Sequence, residues 1–235
     1  MPAAAIKQPT LADLRLWLGE EEAKRYGADR AAMEKAVFAQ ATGPDPEDWF
    51  PFMENAGDPA FLRMCAWLLS KTQGAKRRKI LETGYEYAVV QHYFKAAIWL
   101  IGQGLDLHGP VSFHDTALHV ASNFPRPPIV KVLLSKGCDP NAPNGDGLPP
   151  LFHMIINLGG WEEDEEEYAV SHRLALETAK LLVGAGAKLE AKIGRKKESV
   201  IAYATGPLKA WLESVELGKG AGKADDLPKL PRRKF

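Results

Sequence analysis

The feature that most constrains this chain is a spacing of 33 residues between similar segments in its middle. The segment GLDLH at residues 104–108 is followed at that spacing by GCDPN at residues 137–141. The segment TALH at residues 116–119 is followed in the same way by PPLF at residues 149–152, shortly after Gly147. A fixed spacing of this length is typical of proteins built from stacked repeats, in which each unit buries its apolar face against its neighbours. The sequence therefore predicts a repeat architecture.

The clearest unit reads TALHVAS at residues 116–122 and IVKVLLSKGCDPNA at residues 129–142. It resembles the ankyrin repeat, whose units read T-P-L-H-x-A-A and then V-V-K-L-L-L-x-x-G-A-D-x-N-A. The resemblance implies an all-α fold: an ankyrin-repeat solenoid of stacked helix-turn-helix units with projecting fingers. It also implies a protein that works by binding another protein.

The same pattern divides the chain into regions. We predict a helical N-terminal capping region at 1–57, repeats at about 58–112, 113–145, 146–195 and 196–217, and a flexible tail at 218–235. The capping region carries helical patterns at 11–26 and 28–41. The first repeat has a degenerate helix at 60–66, a basic insertion at 76–79 and an elongated helix over 87–102. The third has helices at 150–157 and 171–183 around an acidic insertion within 158–170, and the last helix covers 207–217.

Local chemistry supports the second repeat. Its second helix is rich in apolar residues up to Leu134, and Gly137 is suited to end it because glycine adopts a left-handed cap without a steric penalty. Thr116 stands where a helix N-cap belongs, and the resemblance places His119 to share hydrogen bonds with neighbouring turns. Phe152 replaces that histidine in the third repeat, so we expect apolar packing there instead.

Composition limits the classes of partner and the cellular compartment that we expect. Thirty basic and thirty acidic residues cancel, which gives no overall electrostatic reason to expect nucleic acid or an anionic membrane as the partner. The apolar runs are far shorter than the roughly 20 residues that a bilayer requires, and no export signal is evident. The two cysteines, Cys65 and Cys138, read as small buried hydrophobes. We expect a cytoplasmic protein.

The sequence offers no catalytic pattern and no cofactor site. It lacks a G-x-S-x-G elbow, a phosphate-binding glycine loop after a strand and an H-E-x-x-H helix. His114 and His119 are five positions apart, whereas residues on one helical face recur every three or four, so we expect no metal site. These patterns favour a protein that is not an enzyme.

Two surfaces are candidates for binding a partner. One consists of the fingers and inner helices at residues 107–114, 141–146 and 188–195, where we place Asn144 and Asp146. The other consists of the elongated helices around residues 85–95 and 168–173 with their charged insertions, where we place Tyr85 and Tyr93. In its acidic insertion six consecutive acids lie between two aromatic residues, as interface anchors do. Its residues are Trp161, Glu162, Glu163, Asp164, Glu165, Glu166, Glu167 and Tyr168.

These surfaces lead to two hypotheses of function. The first is a general protein-protein interaction module. The alternative is a dedicated inhibitor, such as an immunity protein, that neutralises a basic toxin or nuclease through the acidic insertion at 161–168.

Overall fold

The computed structural model describes residues 8–42, 57–158, 165–193 and 196–218, with side chains for all of these except residues 165–168, 192, 193 and 196. The described part of the chain is mostly helical and contains two short β-hairpins. None of its helices is long and apolar enough to cross a membrane. The predicted flexible tail lies outside the described residues, apart from residue 218.

Three short helices form the N-terminal region: α1 Leu11–Leu18, α2 Glu20–Lys24 and α3 Arg30–Thr42. Thr10 and Asp13 satisfy each other's backbone N–H groups in a capping box that begins α1. The predicted single helix over 11–26 is wrong, because Gly19 interrupts it with a φ of 77°. Glycine takes such a conformation at little steric cost, so it separates α1 from α2.

The next three helices are α4 Gly57–Ser70, α5 Gly74–Val90 and α6 Phe94–Gly102. The predicted elongated helix over 87–102 is wrong, since the chain turns at His92, whose φ is 60°. The basic run at 76–79 lies in the first turns of α5 rather than in a loop between helices. Asp58 of α4 accepts hydrogen bonds at 2.9 Å from the backbone N–H groups of Lys95 and Ala96, and it thereby caps the start of α6.

The N-terminal region is joined to α4 by two contacts. The rings of Trp17 and Trp67 stack with their centroids 5.8 Å apart. The guanidinium group of Arg63 donates to a carboxylate oxygen of Asp13 at 2.8 Å. That carboxylate therefore both caps α1 and holds α4 against it.

The remaining described elements are helices, two short hairpins and a 3₁₀ turn. They are β1 Pro110–Ser112, β2 Asp115–Thr116, α7 Ala117–Asn123, α8 Pro127–Ser135, α9 Pro150–Leu158, α10 Glu165–Gly184, β3 Glu190–Ile193, β4 Lys196–Ser199, a single 3₁₀ turn Val200–Ala202, and α11 Gly206–Glu216. The predicted helices at 150–157 and 207–217 are confirmed to within a residue. Helix α10 begins at Glu165 rather than at residue 171, so it includes part of the acidic run.

The helices lie in two layers. Along one layer α5 contacts α7, α7 contacts α9, and α9 contacts the 3₁₀ turn; along the other α4 contacts α6, α6 contacts α8, α8 contacts α10, and α10 contacts α11. Contacts between α5 and α6, α7 and α8, and α9 and α10 join the layers. The core lies between them, where Leu100, Leu118 and Phe152 are fully buried. Each such side chain stabilises the fold by about 1.5–3 kcal/mol relative to an exposed one.

A glycine with positive φ follows each of three helices in the second layer. Gly104, Gly137 and Gly186 have φ values of 96°, 86° and 98° after α6, α8 and α10. The backbone N–H of the residue after the glycine bonds back into the helix in two of these cases, as in the bond from Cys138 to the Leu133 carbonyl at 3.2 Å. This pattern is typical of a left-handed C-cap, and it confirms the predicted role of Gly137.

Arg126, between α7 and α8, ties these helices to the end of α5. Its side chain is buried and donates to the Val89 carbonyl at 2.9 Å, to the Val90 carbonyl at 3.2 Å and to Nε2 of His92 at 2.8 Å. Burial lowers the pKa of its guanidinium group to about 10. The positive charge lies at the C-terminus of α5, where the helix dipole and the free carbonyls favour a cation.

We expect Arg126→Met to lower the free energy of unfolding by about 2–3 kcal/mol, because it leaves buried carbonyl groups without a donor. Urea unfolding followed by circular dichroism measures this change. Lys131→Met, at an exposed position of α8, is the control and should change the value by less than about 0.5 kcal/mol. Equal effects of the two substitutions would show that the Arg126 contacts do not stabilise the fold.

Candidate binding surface

Three segments project beyond the helices, and together we call them the finger row. The first finger covers residues 106–116 with β1 and β2, the second covers residues 139–148, and the third covers the described residues 188–193 and 196–199 with β3 and β4. In each case the finger follows one of the three capping glycines. The fingers are therefore the recurring surface feature of the described chain.

The turn of the first finger exposes an aromatic side chain. Strands β1 and β2 pair with Ser112 opposite Asp115, which leaves Phe113 and His114 in the turn. Phe113 is 96% exposed and has a φ of 43°. A positive φ at a bulky residue costs on the order of 1 kcal/mol or more, and an exposed ring gains nothing from burial. Folding alone gives no reason for phenylalanine at this position.

The second finger is held against the first by Asn144. Its side-chain oxygen accepts from the N–H groups of Asp146 and Leu148, each at 3.0 Å, and its amide donates to Asp115 at 2.7 Å. The next residue, Gly145, donates its N–H to the His114 carbonyl at 3.1 Å. A Cβ at Gly145 would lie 2.5 Å from the Cβ of His114, so only glycine allows this close approach.

His119 of α7 links the first finger to the second from below. Its ring is fully buried; Nδ1 lies 2.8 Å from the Thr116 hydroxyl and Nε2 lies 2.9 Å from the Leu148 carbonyl. A carbonyl can only accept, so Nε2 carries the proton and Nδ1 accepts from Thr116. This confirms the predicted hydrogen bonding of His119. The Thr116 hydroxyl bonds to this ring rather than to a backbone N–H of α7.

Burial is the main cause of a lowered pKa at His119, although the Leu148 hydrogen bond and the charge of Asp115 act in the opposite direction. The neighbouring His153 ring, 5.9 Å away between centroids, adds to the lowering. The neutral imidazole is therefore the form that the folded protein favours.

The third finger is joined to the second by Asn141. Its amide donates to the Gly186 carbonyl at 2.9 Å, and its side-chain oxygen accepts from the N–H of Lys188 at 2.9 Å. The finger then forms an antiparallel hairpin of two four-residue strands. A hydrogen bond from the Val200 N–H to the Leu189 carbonyl at 2.8 Å closes the base of this hairpin. One asparagine thus fixes where the hairpin starts.

Two of the predicted contact residues, Tyr85 and Tyr93, are buried. Tyr85 is fully buried, and its hydroxyl donates to the Ala117 carbonyl at 2.8 Å. Tyr93 is 9% exposed and packs against the rings of Phe61 and Tyr87. Both side chains belong to the core. Neither is available to a partner, and their prediction as contact residues is wrong.

The other predicted contact residues have different positions. Asn144 is 8% exposed and serves the internal hydrogen bonds of the second finger, whereas Asp146 is exposed on the same finger. Trp161, Glu162, Glu163 and Asp164 lie outside the described residues. Glu165, Glu166, Glu167 and Tyr168 form the start of α10, and their side chains lie outside the described part.

Phe113 is the residue that sequence reasoning did not single out. A phenylalanine between serine and histidine reads like any apolar residue at the edge of a short strand. Its signal is indirect: it falls in the turn that precedes the TALH segment, where a side chain has no neighbouring helix to pack against. Only the hairpin register reveals that the ring points into solvent.

The described residues include no group of three or more histidine, cysteine, aspartate or glutamate side chains arranged to hold a metal ion. Both cysteines are buried thiols, and burial raises the pKa of each. Their predicted role as buried hydrophobes is confirmed.

Comparison with known protein families gives a match in the middle of the chain. The family model named Ankyrin repeat matches residues 113–145. These residues include the turn of the first finger, α7, α8 and most of the second finger. No curated protein matches the chain.

We expect the free energy of unfolding to fall as the pH drops below 6.5, the ordinary pKa of histidine, because the lowered pKa of buried His119 means that the unfolded chain binds a proton first. Above that pH the stabilising contribution is complete. His119→Gln, which keeps a donor and an acceptor but does not titrate, should weaken this pH dependence. Urea unfolding at several pH values between 5 and 8 measures it.

His108→Gln is the control for this experiment, because it replaces an exposed histidine and leaves the buried ring intact. If His119→Gln and His108→Gln keep the same pH dependence as the unaltered protein, protonation of His119 does not limit stability in acid.

Proposed function

The chain contains an ankyrin repeat at residues 113–145, and from this we propose that it is a non-enzymatic protein-binding module whose finger row contacts the partner. The proposal extends the matched unit in both directions. The stacked units of a solenoid would be three helix pairs and a final, shorter unit. The pairs are α5 with α6, α7 with α8 and α9 with α10, and the final unit is the 3₁₀ turn with α11. The helices α1 to α3 would cap its N-terminal end.

The contacts along each helix layer support the stacked arrangement, since every pair packs on the next one. The recurring capping glycines support it as well, because each one ends a helix of the second layer and is followed by a finger. We therefore keep the boundaries at 58–112, 113–145, 146–195 and 196–217 as proposed repeats, and the first of them contains the extra helix α4 before α5 and α6.

The single observation that carries the proposed function is Phe113. Its ring is 96% exposed at the tip of the first finger, and its backbone is held in a positive-φ conformation. The bond between the His114 carbonyl and the Gly145 N–H fixes the turn against the second finger, so the ring is presented from a rigid base. Exposed aromatic side chains on rigid supports are the residues that contribute most to protein interfaces.

Asp146 is the second proposed contact residue. It is exposed on the second finger, and its N–H bonds to Asn144, which also bonds to Asp115 of the first finger. A partner that covers Phe113 would therefore meet the backbone that carries Asp146. An interface of standard size, about 800 Å² on each side, is large enough to include both fingers.

The alternative, an inhibitor that neutralises a basic toxin or nuclease through residues 161–168, uses a different part of the molecule. Helix α10 carries the chain from Glu165 to Gly184, which is roughly 29 Å at 1.5 Å per residue. Glu165, where the described part of the acidic run begins, and the third finger therefore lie at opposite ends of this helix. A partner of ordinary size that needs the acidic run would bind away from Phe113, so one experiment separates the two functions.

Affinity capture from the cells that produce the protein tests the proposal, with quantitative mass spectrometry and then a dissociation constant for the purified partner. We expect Phe113→Asn to raise that Kd by at least about 30-fold, the effect of losing a strong interface anchor. Asparagine tolerates the positive φ, and the ring is exposed, so the melting temperature should not fall.

Two further variants complete this experiment. Phe94→Ala removes a less exposed aromatic ring on α6 and should leave the Kd unchanged. Changing residues 162–167 to glutamine should also leave it unchanged. If the glutamine variant loses the partner while Phe113→Asn keeps it, the finger row is not the binding surface and the inhibitor hypothesis replaces it.

A further inference from the structure

The three fingers differ in charge. The first finger contains Asp106 and Asp115 and the second contains Asp139 and Asp146, and neither contains a lysine or an arginine. The third has five basic residues, Lys188, Lys192, Arg195, Lys196 and Lys197, against the two acids Glu190 and Glu198. The neutral total charge of the chain therefore conceals a basic finger next to two acidic ones.

Internal structure accounts for most of the acids of the first two fingers. Asp106 accepts from the N–H groups of His108 and Gly109, and Asp139 accepts from the N–H of Asn141. Asp115 accepts from Asn144. These carboxylates shape turns, as aspartate does in many proteins, so their presence needs no partner.

Lys188 and Lys197 are the lysines of the third finger whose side chains the structure describes, and both are exposed. The register pairs the positions of Lys192 and Lys197, and residues of like charge at directly opposite positions destabilise a strand pair. Lys197 also contacts Glu190, but both side chains are more than half exposed, at 71% and 52%, and a surface ion pair of this kind contributes little. Folding alone does not explain this concentration of positive charge.

We propose that the third finger docks an acidic segment of the partner protein. The proposal rests on the proposed function and adds the chemistry of the partner: carboxylate groups that approach the β3–β4 hairpin while another part of the partner covers Phe113. Asn141 fixes the hairpin at the end of the finger row, through its bonds to Gly186 and Lys188, so the two contacts have a defined separation.

A protein segment fits this surface better than nucleic acid does. Glu190 and Glu198 lie on the hairpin among the lysines, and Asp139 and Asp146 lie on the adjacent finger. A phosphate backbone presents negative charge along its whole length, so these carboxylates would repel it. An acidic peptide can place its carboxylates opposite the lysines and uncharged residues opposite the acids.

The test measures binding of a fluorescein-labelled peptide of alternating glutamate and serine to the full chain by fluorescence anisotropy. We expect binding that weakens as salt is added, and a Kd that rises at least about tenfold in the double variant Lys192→Gln, Lys197→Gln. The double variant Lys131→Gln, Lys136→Gln, which removes two exposed lysines at α8, should bind the peptide like the unaltered chain.

The hairpin variant should melt at the same temperature as the unaltered chain or higher, because it removes a repulsive pair, so a loss of binding would not reflect unfolding. Equal effects of the two double variants would overturn the proposal, as would no detectable peptide binding up to about 1 mM. Tighter binding of an oligothymidylate than of the peptide at the same salt would overturn it in favour of nucleic acid.

The purified partner separates this proposal from the proposed function. If Phe113→Asn weakens binding of the partner but the hairpin variant binds the partner at full affinity, the proposed acidic docking is wrong and the finger row remains the binding surface. If both variants weaken the partner, both proposals gain support.

Discussion

The hydrogen bond from His119 Nε2 to the Leu148 carbonyl is the contact on which the geometry of the finger row depends. The first finger has strands of only three and two residues, and the second has no strand, so neither can hold its position by its own backbone pairing. Side chains supply the missing bonds: His119 from below, Asn144 between the first two fingers, and Asn141 between the second and third. His119 and Asn141 join residues 113–145 to the segment that follows, whereas Asn144 and Asp115 both lie within residues 113–145.

These internal hydrogen bonds determine which residues of the fingers remain available to a partner. His119 and Asn144 are buried and their hydrogen bonds are used internally, so they position the fingers without contacting anything outside. Phe113 and Lys197 do the reverse, since their side chains are exposed and contribute little to folding. The same loops thus contain one set of residues that fixes the shape and another that the fold does not require.

Much of the fold could be predicted from the sequence, because repeated spacing places equivalent residues in equivalent surroundings. Gly137 as a helix cap, His119 as a hydrogen-bonding residue and the helix α9 all followed from the register of the repeat. The breaks at Gly19 and His92 did not, since a helical pattern of apolar residues continues across each of them. Tyr93, directly after the break at His92, is a core residue rather than a surface one.

The candidate site was less predictable, because exposure at a turn depends on hairpin register and on neighbouring units. The acidic run is the most conspicuous sequence feature, whereas Phe113 is a single residue without a motif. Arg126 is a similar case, because its role at the end of α5 depends on hydrogen bonds to residues that are 36 and 37 positions away in the sequence. Local patterns cannot reveal contacts of this kind.

The central claim is that the finger row is the surface that meets a partner. Hydrogen exchange of backbone amides, measured by mass spectrometry with and without the purified partner, tests it most directly. The account predicts that binding slows exchange at residues 110–116, 141–147 and 188–199, while exchange at the start of α10 stays unchanged. Slower exchange at residues 165–170 with no change in the three fingers would contradict it.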